Sequence, residues 1–406
     1  MMQWKRQRLD QLGSVARGKS RHRPRNDPAL YGGSWPFFQT GDVKAAELYL
    51  RTFNQTYSDI GLAQSKLWPA GTLCITIAAN IADTAILGIA GCFPDSIVGF
   101  TADPARSDAR YIKYYIETLK QGMQNASRGT TQDNLSVDKL LTFDFLVPPV
   151  EHQRRIASIL SAYNDLIENN TRRIAILDEM ARRIYEEWFV RFRYPGHEGV
   201  RIVQSELGLV PEGWGRETLA ACAIVTMGQS PSSEFYNDKA NGLPFHQGVT
   251  NFGQHFPSHK MFCSSEGRLA EAGDILVSVR APVGRINLSP SRLVIGRGLC
   301  AVRSRTGQQT FLLHRLFETF KEEDSMGNGA IFKAVSKQEV LGLPFLVPPA
   351  PLVVAFEKKA SPIWSLVRNL THQNENLRAT RDLLLPKLIS GELDVSELPL
   401  PEAIAA

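Results

Sequence analysis

Two stretches of the chain place apolar side chains at alternating spacings of four and three. The first runs Ile156, Leu160, Tyr163, Ile167, Ile174, Leu177, Ala181, Ile184 and Trp188, with Asn170 in its one polar slot. The second runs Phe356, Ala360, Ile363, Val367, Leu370, Asn374, Leu377, Arg381, Leu384 and Leu388. A heptad seam held this long predicts a helix that buries one stripe against another helix. Elsewhere the period is two. "AGTLCITIA" (70 to 78) and "AGDILVSVR" (272 to 280) alternate apolar and other residues, which predicts half-buried strands.

These elements recur because the chain repeats itself. "FLVPP" stands at 145 to 149 and again at 345 to 349, and "GTTQDNLSVDKLLTFDF" (129 to 145) aligns without a gap on "GAIFKAVSKQEVLGLPF" (329 to 345). "WPFFQ" (35 to 39) answers "LPFHQ" (243 to 247), and Trp4 with "GKS" (18 to 20) answers Trp214 with "GQS" (228 to 230). The offset drifts from 210 at the start of the repeat to 200 at its end, as a few loop insertions would produce in a duplicated unit. An α+β fold follows: two tandem globular domains, each followed by a long helix, with the helices paired as an antiparallel coiled coil. The boundaries read 1–149 for the first head, 150–192 for its helix, 193–212 for a linker, 213–348 for the second head, 349–392 for its helix and 393–406 for a tail. Pairing Ile156 with Leu388 makes every facing pair sum to 544, so Asn170 faces Asn374 and the two amides fix the register.

Net charge is +5, but residues 1 to 25 hold Lys5, Arg6, Arg8, Arg17, Lys19, Arg21, Arg23 and Arg25 against Asp10 alone, a local +7. Such a segment attracts a polyanion, most often a nucleic acid, or remains a solvated arm. "GSVARGKS" (13 to 20) fits the Walker A pattern. Prolines in "RHRPRNDP" forbid the helix a phosphate loop needs after Ser20, and the second copy has Ala223 and Gln229 where the motif has Gly13 and Lys19. Only a Gly-x-Ser turn is shared. The five cysteines fall singly, with no C-x-x-C, and read as core residues. "HFPSH" sets His255 and His259 four apart, but Pro257 breaks the helix that would bring them to one face, so no metal site is expected. With no apolar run of membrane length and no leader, the expected compartment is the cytoplasm.

A globular domain, "FLVPP", a helix ending "IYEEWFVRFRYPGHEG", the phrase "LGLVPEGW", then a second globular domain and a helix ending "LLLPKLISGELDV" together resemble the DNA specificity subunit of type I restriction-modification systems. "CFPDSIVGF" (92 to 100) is similar to that family's target-recognition domains. The resemblance covers nearly the whole chain. It implies a non-catalytic protein whose heads each read half of a bipartite site in double-stranded DNA while the helices set the spacer. It also implies two modification subunits docked on the helices, restriction subunits joining them, and S-adenosylmethionine, ATP and magnesium bound only by those partners.

Candidate DNA contacts are polar and basic residues at repeated places. Around the first turn these are Arg17, Lys19, Arg21, Arg23 and Arg25, and around the second Gln229 and Ser230. Gln39 and Gln247 recur, and glutamine can bond an adenine edge twice, although a strand-end hydrogen bond explains it equally. Arg280, Arg285, Arg292 and Arg297 punctuate the second head; Arg128 serves the first, and Lys333 and Lys337 lie near the second helix start. Helix residues Glu179, Arg182, Arg183, Glu186 and Glu187 meet partner subunits or solvent. No Asn-Pro-Pro-Tyr motif for a flipped adenine occurs. The alternatives are the specificity chain of another restriction architecture, a nucleotide-binding enzyme using Lys19, or a coiled-coil scaffold whose heads bind protein.

Overall fold

The computed structural model describes residues 4–127, 134–206, 208–321 and 334–398. They form two compact units, one of residues 1–171 with 372–406 and the other of residues 172–371. The division cuts both long helices, Val150–Tyr185 and Ala350–Ser390, so that each unit holds one stretch of each. The first helix goes on as a π turn, Glu186–Val190.

In the first unit a five-stranded sheet runs in the order Gly13–Arg17, Ile97–Ala102, Leu73–Thr76, Thr84–Leu87, Tyr49–Leu50; only the last pair is parallel. Leu73–Thr76 was expected to be half-buried, yet all four residues are buried. The alternation sorts the strand between two cores instead of between core and water. Leu73 and Ile75 join Tyr111, Ile112 and Ile116 of the helix Ala109–Ser127, whereas Cys74 on the other face joins Trp68, Leu87 and Phe93. The second unit repeats this. Ile275 and Val277 of Ile275–Ser278 pack with Leu312 and Leu316 of the helix Gln309–Thr319, and Leu276 packs with Leu293, Ile295 and Leu299. Four cysteines are buried, Cys222 is half-buried, and all five are free thiols.

Equivalent ladders recur in both units. Lys5–Arg8 pairs with Asp144–Val147, so Lys5 faces Val147; Gly215–Thr218 pairs with Pro344–Val347, so Gly215 faces Val347. Both "FLVPP" phrases therefore close the head on its own first strand. The charged stretch before Leu12, unpromising as a strand, forms one because its residues sit at an exposed two-stranded edge, while Leu9 and Leu12 of the following turn are buried.

Within the first unit, Ile156 and Leu160 share a core with Leu384, Leu385, Leu388 and Ile389. Asn170, buried, donates through Nδ2 to Oδ1 of Asn374 at 3.0 Å; Asn374 Nδ2 in turn donates to Ile167 O and Thr171 Oγ1, both at 3.3 Å. A second polar layer follows. Arg381 donates to Asn164 Oδ1 at 2.6 Å, and Asn164 donates to the Tyr114 hydroxyl at 2.9 Å. The arginine in the second seam thus has a buried amide beneath it, one residue beyond the Tyr163 its heptad position would face. Within the second unit, Ile174 and Ala181 pack with Trp364, Val367 and Leu370, and Trp188 and Phe189 with Phe356 and Ala360.

Candidate nucleic-acid interface

Each head carries the same turn. After Gly13–Arg17, Gly18 N–H donates to Ile97 O at 2.8 Å and Lys19 N–H to Phe93 O; after Ala223–Met227, Gly228 N–H donates to Leu299 O at 2.9 Å and Gln229 N–H to Ile295 O. The shared glycine is required by close approach. A Cβ at Gly18 would lie 2.2 Å from Pro94 O, and one at Gly228 would lie 2.1 Å from Gly296 O. Gly228→Ala is therefore expected to lower the stability of the second unit by about 1–3 kcal/mol; an unchanged thermal midpoint would show that the turn relaxes freely. No helix starts after Ser20, where the chain is irregular up to the short turn Pro28–Leu30, so the Walker-like octapeptide is a strand and a turn.

The second head gathers its predicted residues around this turn. Ser230 Oγ donates to Gln247 Oε1 at 2.8 Å and accepts from the Arg297 backbone N–H at 3.3 Å. Gly296 and Gly298 permit that approach, since a Cβ on either would lie within 2.6 Å of Gln247 atoms. Gln229, Gln247 and Arg297 are exposed. The remaining arginines do not join this cluster. Arg280 bridges Ala334 through its backbone, the Arg285 N–H donates to Ser278 Oγ at 2.9 Å, and Arg292 pairs with Glu271 at 3.4 Å. Lys337, exposed, opens the short helix Lys337–Leu341 capped by Ser336.

In the first head the charge at the equivalent loop is inverted. Strand pairing puts Ile97 at the place of Leu299, hence Asp95 at the place of Arg297. Asp95 collects the basic segment: Arg25 donates to both carboxylate oxygens at 2.9 and 3.0 Å, and Arg17 donates to its backbone carbonyl. Arg23 turns back on the Ser20 and His22 carbonyls, each at 2.8 Å. Lys19 and Arg21 are exposed and are held by their backbones, Lys19 O accepting from Ser65 Oγ and Arg21 N–H donating to Gln64 Oε1. Gln39, exposed, donates to Gln55 Oε1 at 2.7 Å and not to Ser20. Arg128 and Lys333 lie outside the described residues.

Sequence reasoning missed two histidine contacts. His259 meets His246, Nδ1 to Nε2 at 3.0 Å, directly before Gln247; burial, then the neighbouring His259, holds the His246 imidazole down to about 4. His255 diverges from it into the core, edge-on to Trp364 and 3.6 Å from Asp178. Among the described residues, no cluster of three metal-ligating side chains occurs. Of the helix charges, Glu179 pairs with Arg182 and Arg183 and Arg182 with Glu186, while Glu187 pairs outside that set with Arg191. No described helix is long and apolar enough to cross a membrane.

Residues 1–179 match the family model of the type I restriction modification DNA specificity domain. The putative type I restriction enzyme MjaX specificity subunit of Methanocaldococcus jannaschii is 29% identical over 295 residues, 70% of this chain and 68% of that protein. The MjaIX specificity subunit of the same organism is 24% identical over an alignment covering 97% of this chain and 94% of its own. A crystal structure of the type I restriction-modification S subunit from M. genitalium superposes with a TM-score of 0.62 over 95% of this chain and 96% of that one, at 15% identity, which is a likeness of fold. The chain is thus similar to type I restriction-modification specificity subunits, over its first 179 residues by the domain model and over most of its length by these relatives.

Proposed function

We propose that the protein is the sequence-reading subunit of a type I restriction-modification complex, each head reading one half of a bipartite site in double-stranded DNA. The two long helices pair antiparallel, set the unread gap and dock two modification subunits, with restriction subunits joining them. The chain itself is non-catalytic and cytoplasmic. S-adenosylmethionine, ATP and magnesium belong to the partner subunits. The observation that carries this reading is the duplication of one device: a strand, a glycine turn of identical hydrogen bonding and an exposed polar rim are built once in each unit. A device that reads bases from a fixed backbone frame needs such a rim, with lysine or arginine near it for phosphate. The Asn170–Asn374 bond supports the antiparallel register.

Co-expression with a cognate modification subunit in a host lacking other adenine methylation tests it. Genome-wide mapping of N6-methyladenine is expected to return two short half-sites around a fixed gap. Soluble, associated subunits that leave the genome unmethylated would refute the reading in favour of a scaffold.

A further inference from the structure

The cleft beside the second head's turn differs from its counterpart in the first in a way the repeat makes legible. Trp68 pairs with Gly91 as Ala270 pairs with Leu293, which aligns Gln64 with Glu266, Ser65 with Gly267 and Lys66 with Arg268. In the first unit three bonds shut the gap between this segment and the turn. Gln64 Oε1 accepts from the Arg21 N–H at 2.6 Å and the His22 N–H at 3.1 Å, and Ser65 Oγ donates to Lys19 O at 2.9 Å. In the second unit two of those three bonds cannot form: Pro231 stands for Arg21 and has no N–H, and Gly267 stands for Ser65 and has no hydroxyl. Ile295 holds both walls by its backbone, accepting from Gln229 N–H at 3.0 Å, as Phe93 O accepts from Lys19 N–H, and donating to Arg268 O at 2.8 Å. A cleft of about 350 Å³ remains, lined by Gln229, Ser230, Ser232, Ser265, Glu266 and Arg268 among others.

A further exchange, Ala270 for Trp68, removes a partner from the segment's basic residue. Lys66 rests on the Trp68 ring, 3.6 Å from its centroid, whereas Ala270 offers Arg268 no ring. Among the described residues, no ion pair joins Glu266 or Arg268 to any partner, and both are exposed. A bare carboxylate on a face that receives phosphates weakens binding to every sequence equally, unless it accepts a hydrogen bond that only some bases can give. The exocyclic amine of cytosine is such a donor, and guanine O6 and N7 are the complementary acceptors for arginine.

We propose that Glu266 and Arg268 read a C·G pair in the second half-site, Glu266 accepting from the cytosine 4-amino group and Arg268 donating to the guanine edge. This rests on the two-headed reading above. In the assembled methyltransferase complex, Glu266→Gln is expected to leave the gap and the first half-site as they are while relaxing one obligatory C·G pair of the second, with discrimination there falling by about tenfold or more. Arg268→Ala should relax the same pair. Unchanged requirements at every position, relaxation of different pairs by the two variants, or methylation lost at all sites would each overturn the assignment. A wild-type complex that methylates no split motif would overturn the two-headed reading itself, and this proposal with it.

Discussion

Asn170→Leu is expected to destabilise the first unit by about 2 kcal/mol, and Asn170→Leu with Asn374→Leu to recover that loss or exceed it. The single change leaves the buried Asn374 carbonyl without its donor, and an unsatisfied buried amide costs about 1–3 kcal/mol. The double change removes both polar groups and buries two leucines, each contributing about 1.5–3 kcal/mol. Exchanges of this kind are commonly neutral or stabilising. Urea unfolding of the four proteins in the double-mutant cycle decides it: additive, independent costs would show that the two amides do not act as a pair.

Acidification is the second large effect, and it acts on the second unit. His314 is buried, stacks against Tyr185 and accepts the indole N–H of Trp364 at Nε2, 2.9 Å away. Burial holds its imidazole down to about 3. An unfolded chain protonates histidine near 6.5, so between these two values unfolding takes up a proton and stability falls as the pH falls. The full contribution is present above about 7, and by pH 5 roughly 2 kcal/mol is lost through His314 alone. His246 moves in the same direction. Hydrogen exchange of the helix Gln309–Thr319 under mild urea, corrected for intrinsic rates, should show the loss at pH 5 in the native protein and less of it in His314→Gln. Equal protection at pH 7 and pH 5 would refute it.

How much of this was legible in the chain follows from the range over which each interaction acts. Heptad spacing marks a long helix because burial of one stripe is a local, periodic demand, and the two asparagines stand out because a polar residue in a seam needs a partner. "FLVPP" and the Gly-x-Ser turn were visible because duplication displays them twice. Burial of both faces of Leu73–Thr76 was not visible, since alternation looks the same whether the second face meets water or a second core. The same limit hid the fate of the basic segment. Arg17 and Arg25 read as a free cationic arm until Asp95, seventy residues away from Arg25, is placed beside them by the sheet. Asn164 escaped notice for a related reason, being one residue off the heptad and buried only through Tyr114 and Arg381.

The first unit takes its core from both ends of the polypeptide. Ile156 and Leu160 are covered by Leu384, Leu388 and Ile389, Val395 is buried in the same core, and Arg155 donates to the Ser396 carbonyl. On a ribosome adding about 5–20 residues per second, 241 residues separate Arg155 from Ser396, the first of these groups from the last. For ten seconds or more the newborn head therefore carries an open leucine seam with no permanent cover, and a chaperone or a waiting partner helix has that long to find it.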